Sequence, residues 1–228
     1  MAMRKPEIPA RENISPSDLT FGLSTCKRCL WIKYWHKVVM PGAFPLVGTL
    51  AALQEKNFKG TLTQAIDPAL RPGKVTKLAE WVKSIPIAID GKVTRWRILG
   101  KYDLVAENDD GTIALFDCKV SDSTRDSGDF YSPQLEAYAY ALENPAAGRP
   151  ASVATMGLLV WKPDQVIRTD EGNYGFGVKQ SYVPVPRNQS KFLEVIHDFI
   201  AVLEGPLPDS GSECTTCKYL VERLRLED

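Results

Sequence analysis

The sequence predicts a mixed α/β fold in which helices flank a single sheet. Three observations carry that expectation. Turn signals at Asp90-Gly91 and at Asn108-Asp109-Asp110-Gly111 divide apolar stretches into a β-meander. Apolar residues at helical spacing mark 133–143 and 188–204 as helices. Two further apolar runs, 153–161 and 174–184, lie between those helices, so strands and helices interleave rather than forming separate blocks.

In order along the chain, residues 1–14 are polar and proline-bearing and read as a flexible arm, which leaves 15–228 as one domain. Ser15-Pro16-Ser17-Asp18-Leu19 has the small polar cap and early proline of a helix start, and the helical segment reaches about His36. Pro41 and Pro45 interrupt the chain, and a second helix is expected from Val47 to Lys56. Residues 60–78, with Pro68, Pro72 and Gly73, read as loop. The meander runs Ile85–Ile89, then Val93–Val105 with a bend at Gly100, then Thr112–Val120. A polar loop, 121–132, precedes the helix that starts at Pro133 and carries Leu135, Tyr138, Ala139 and Leu142 on one face. The last helix carries Phe192, Ile196, Phe199, Ile200 and Leu203 on one stripe, and a tail follows from Gly205.

The bulk numbers bound the class. An apolar fraction of 44% over 228 residues is enough to bury a core without disulfides. Lys+Arg and Asp+Glu are 28 each, so any nucleic-acid surface must be local rather than a property of net charge. There is no apolar run long enough to span a bilayer and no secretory signal, so the expected compartment is the cytoplasm, with no membrane partner. Thiols stay reduced there, and paired cysteines read first as metal or cluster ligands.

The chemistry-bearing stretch is Gly100-Lys101-Tyr102-Asp103, a hairpin, then Phe116-Asp117-Cys118-Lys119. Asp117 and Lys119 are two apart on a strand and so share a face. Hairpin pairing about Asp109-Asp110 sets Asp103 opposite Asp117 to within one register step. Two carboxylates and an ammonium on one strand face make a poor core and a good seat for a hard cation such as Mg²⁺ or Mn²⁺. A lone Asp-x-Lys is usually a surface pair of little energetic weight. Here Ile113–Phe116 and Leu104-Val105 are strongly apolar, and charges at the ends of buried strands need a reason.

These residues resemble the core of the RecB-like nucleases of the PD-(D/E)XK superfamily, where Gly-x-x-Asp is followed by a hairpin and an Asp/Glu-x-Lys strand. Gln134 and Tyr138, four apart on one helical face, resemble that family's Gln-x-x-x-Tyr helix. The resemblance implies a restriction-endonuclease-like mixed sheet and metal-dependent hydrolysis of DNA phosphodiesters. It implies metal ligation by Asp103, Asp117 and the backbone carbonyl of Cys118, water activation by Lys119, and strand positioning by Gln134 and Tyr138. It also implies an exonuclease in repair, recombination or CRISPR spacer processing, with a helicase or CRISPR-adaptation protein as possible partner. The chain departs from the family at Gly48-Thr49-Leu50-Ala51-Ala52, where Ala52 stands at the position of a metal-binding histidine. That departure keeps open a second reading, a weak or inactive nuclease fold that binds DNA or serves a larger complex. His36 and His197 do not fit the motif and read as structural or surface residues, while Gln54 and Glu55 are auxiliary candidates.

The cysteines fall as Cys26-x-x-Cys29, Cys118 and Cys214-x-x-Cys217. Two such pairs signal a tetrathiolate site that joins the N- and C-terminal segments. Ser15-Pro16-Ser17 with Cys26–Cys29, and Cys214–Tyr219, resemble the two ends of the iron–sulfur RecB-like nucleases. The resemblance implies a 4Fe–4S cluster, although the two-plus-two spacing differs from that family's one-plus-three, and zinc is the alternative. Cys118 reads as a small core residue on the opposite strand face.

Residues 26–37 interleave Lys27, Arg28, Lys33 and Lys37 with Trp31, Tyr34 and Trp35. That mixture suits either single-stranded DNA or a helix with an aromatic core face. Arg95, Arg97 and Arg125 are further phosphate candidates.

Overall fold

A computed structural model of the chain describes residues 4–39, 46–121 and 128–226. The N-terminal part contains β1 (Asn13–Ile14), α1 (Pro16–Thr25), α2 (Lys27–His36), α3 (Val47–Phe58) and the short α4 (Thr63–Ile66). Then come β2 (Gly73–Leu78), β3 (Trp81–Lys83), β4 (Ala88–Ile89), β5 (Lys92–Val93), β6 (Arg97–Lys101), β7 (Leu104–Asn108) and β8 (Ile113–Val120). The remainder is α5 (Gly128–Glu143), β9 (Val153–Arg168), β10 (Tyr174–Pro184), α6 (Gln189–Glu204) and α7 (Thr215–Arg225).

The centre is a five-stranded mixed sheet in the order β10-β9-β8-β7-β2. β8 and β9 are parallel, and α5 makes the crossover between them. The other neighbours are antiparallel. A second, three-stranded sheet has the order β1-β6-β3, and β4 and β5 form a hairpin.

The two faces of β8 set the layers. Ile113 and Leu115 face the larger core, with Leu135, Ala139, Phe192, Ile196 and Phe199 of α5 and α6. Ala114, Phe116 and Cys118 face the smaller core, with Phe58 of α3, Val75 and Leu159. Asp117 and Lys119 therefore continue the α5-side row of β8. No helix among the described residues is long and apolar enough to cross a membrane.

Several expectations need correction. The described part of the expected flexible arm, residues 4–14, is tied down. Asn13 and Ile14 pair in parallel with Arg97 and Ile98, and the Lys5 ammonium donates to the carbonyls of Leu203 and Glu204. Capturing those carbonyls satisfies acceptors that the C-terminus of α6 leaves open. The segment 17–36 is two helices, because Cys26 is extended and serves as C-cap of α1 and N-cap of α2. The stretch 60–78, read as loop, holds α4 and the edge strand β2. The strand expected over 93–105 is divided between two sheets, and the tail after Gly205 contains α7. The loop expected up to Ser132 ends earlier, at the start of α5.

Candidate active site

The division of the long strand builds the site. β6 ends at Lys101 in the small sheet and β7 starts at Leu104 in the large one, so Asp103 sits in the break. Only glycine fits at position 100. A Cβ there would lie 2.7 Å from the Pro16 ring and 2.8 Å from the Tyr138 ring. The Tyr138 hydroxyl donates to the Lys101 carbonyl at 2.8 Å, which fixes the bend from the α5 side.

Pairing of Leu104 with Phe116 sets Asp103 beside Asp117. The Cys118 N–H donates to Asp103 Oδ2 at 2.6 Å, and the Asp103 and Asp117 carboxyl groups lie close enough to feel each other's charge. Gln134 Nε2 donates to Asp117 Oδ1 at 2.7 Å. Lys119 Nζ lies 2.5 Å from Asp117 Oδ2 and 4.6 Å from the centre of the Tyr131 ring. Gln54, fully buried on α3, donates to the Leu159 carbonyl at 2.7 Å and more weakly to that of Lys119 at 3.5 Å, which seats α3 across β8 and β9.

Burial raises the Asp103 carboxyl to about 7, the Asp117 carboxylate adds to the rise, and the Cys118 N–H opposes it. Asp117 is also raised by desolvation, with the Lys119 ammonium pulling against it. For Lys119, burial works against the charge, but Asp117 and Asp103 hold the ammonium protonated above its ordinary range. The resting site thus carries two carboxyl groups that resist simultaneous ionisation and one amine that stays charged. A divalent cation would offset the charge of both carboxylates. Its oxygen donors would be Asp103, Asp117 and the Cys118 carbonyl. Gln134 Oε1 is a buried acceptor with no hydrogen-bond donor among the described residues, open to a cation-ordered water. The residues fit such an ion.

Tyr131 is a neighbour of the site that sequence reasoning missed, because α5 begins before Pro133. Glu55 on α3 is half-buried, its carboxyl raised by desolvation, and it adds to the field at Asp103. Ala52, at the expected histidine position, is exposed on α3. His36 packs against Trp31 on α2 and His197 lies on α6 beside Asp198. Arg125 lies outside the described residues.

The aromatic residues of α2 do not face solvent. Trp31, Tyr34 and Trp35 are buried in the larger core, and the two indoles donate to the carbonyls of Gly205 and Leu203. They cannot stack on bases, so the expectation of single-stranded DNA loses its support from this helix. Arg95 pairs with Glu204 at 3.6 Å, and Arg97 donates to the Ser84 carbonyl.

The four paired cysteines converge. Their sulfurs all lie within 4.8 Å of one another. Cys118, by contrast, points into the smaller core, and burial pushes its thiol up.

A search of curated proteins finds no match. Among solved structures, the "Crystal structure of SSO0001" shares the fold with a TM-score of 0.55 at 19% identity. The match covers 96% of this chain and 87% of that one. The family profile described as "PD-(D/E)XK nuclease superfamily" matches residues 33–221, a span that includes Asp103, Asp117, Lys119 and Gln134. With most of the chain matched and the carboxylates and lysine gathered at one end of a mixed sheet, this chain belongs to the PD-(D/E)XK nuclease superfamily.

Proposed function

We propose that the chain is a Mg²⁺- or Mn²⁺-dependent deoxyribonuclease that hydrolyses phosphodiester bonds at DNA ends. The observation that carries this reading is the gathering of three groups at one end of β7 and β8: Asp103 on the Cys118 N–H, and Asp117 with Lys119 against it. A bound cation would supply an acidified water and neutralise charge on the scissile phosphate. Asp103 and Asp117 would hold that cation, braced by the Cys118 N–H and by Gln134. With Asp117 holding a cation, Lys119 would be free to orient the attacking water or donate to a phosphate oxygen. Water oxygen then bonds to phosphorus, the ester bond breaks, and the leaving oxygen takes a proton. Tyr138 acts through the bend that carries Asp103, since its hydroxyl is committed to the Lys101 carbonyl. The resemblance to the RecB-like class is what supports a role in repair, recombination or CRISPR spacer processing, with a helicase or adaptation protein as partner.

The test is a cleavage assay on end-labelled single- and double-stranded DNA. Cleavage is expected with Mn²⁺ or Mg²⁺, no cleavage with EDTA, and none in Asp117→Asn. DNA binding without cleavage by the metal-loaded wild type would favour the second reading, a silent nuclease fold, for which the exposed Ala52 is the motive.

A further inference from the structure

We propose that the four-cysteine site holds a single tetrahedral zinc ion and not a 4Fe–4S cluster. The distances decide between them. Cys29 Sγ lies 3.6 Å from Cys214 Sγ and 3.6 Å from Cys217 Sγ, and Cys26 Sγ lies 3.9 Å from Cys217 Sγ. Tetrahedral coordination with metal–sulfur bonds of about 2.3 Å separates the sulfurs by about 3.8 Å. These separations are those of four thiolates around one ion. In a cubane cluster each thiolate binds a different iron at a separate corner. Four such sulfurs stand farther apart than the 4.8 Å within which all of these lie. The distances are also far beyond a disulfide bond of about 2.05 Å, and all four cysteines are free.

The backbone supports a closed site. Cys26 is the N-cap of α2 and Cys214 is the N-cap of α7. Cys29 and Cys217 follow three residues later, in the first turn of each helix. Each Cys-x-x-Cys therefore presents its sulfurs at a helix N-terminus, where the helix dipole favours thiolate charge. The Gly211 N–H also points at Cys26 Sγ at 3.5 Å. Four sulfurs this close cannot all ionise without a cation, because the thiolates would repel one another. Zinc relieves that repulsion and clamps the α1–α2 junction to the start of α7. An ion without redox chemistry makes the site a fastener between the chain ends, independent of the carboxylate centre.

The test is metal and acid-labile sulfide analysis of the full chain purified without oxygen, followed by attempted reconstitution with iron and sulfide. One zinc per chain, no sulfide, a colourless protein and no cluster uptake are expected. Replacement by Co²⁺ is expected to give the intense visible bands of tetrahedral thiolate ligation, lost in Cys29→Ser/Cys214→Ser. A brown protein with sulfide and several irons per chain would overturn the proposal. So would one iron without sulfide, or no metal with all thiols freely titrating.

Discussion

Replacing Lys119 with methionine is expected to lower DNA cleavage about 10³-fold while leaving the fold and the cation site in place. Among the described residues the ammonium is the cationic group against the two carboxyls, and their field keeps it charged. Its place is therefore that of a donor to water or phosphate. A methionine keeps most of the apolar stem and removes the ammonium, together with its contact over the Tyr131 ring. Asp117, deprived of its ion pair, protonates or meets the metal instead, so the variant has little reason to unfold. The check is the cleavage rate at saturating Mn²⁺, beside a Mn²⁺ dissociation constant and a melting curve. A rate within threefold of wild type would remove Lys119 from the chemistry.

Arg187→Met is expected to destabilise the chain by about 3–5 kcal/mol, because it strands a buried charge. Glu136 is 1% exposed, and Arg187 Nε donates to both of its oxygens at 3.2 Å. The same guanidinium bonds Glu143 at 2.8 and 3.0 Å and the Val153 carbonyl at 2.6 Å. One side chain thus joins two turns of α5, the start of β9 and the approach to α6. For a chain of this size the loss corresponds to a melting point lower by on the order of 10 °C. Urea denaturation checks it, and Arg187→Met/Glu136→Leu is expected to recover part of the loss. A change below about 1 kcal/mol would show that Glu136 finds another partner.

Much of this was legible in the sequence where burial and periodicity agree. Phe192, Ile196, Phe199, Ile200 and Leu203 read as one stripe and are all buried on α6. Asp117 and Lys119 stood out because Ile113–Phe116 made β8 a central strand, and Gln134 because of its place relative to Tyr138. What escaped the sequence lacks a local signal. β2 has only Val75 and Leu78 as apolar residues, and its register slips between Val75 and Lys77. The division of 93–105 between two sheets depends on non-local partners, Ile14 and Val82 for β6 and Phe116 for β7. α7 has no buried residue, so its apolar side chains Tyr219, Leu220 and Leu224 carried no core to argue from. Tyr131 was hidden by placing the helix start at Pro133. The Lys101 carbonyl, which holds Tyr138, is a backbone acceptor and leaves no mark in a sequence.

The most direct measurement is a calorimetric Mn²⁺ titration of the chain with its cysteine site filled, at pH 6 and pH 8. Protonation of Asp103, whose carboxyl is raised to about 7, competes with the cation, so binding weakens as pH falls through that value. One Mn²⁺ per chain is expected, several-fold tighter at pH 8 than at pH 6, and abolished by Asp103→Asn and by Asp117→Asn. Equal binding at both pH values that survives both substitutions would contradict a cation seat at these two carboxylates.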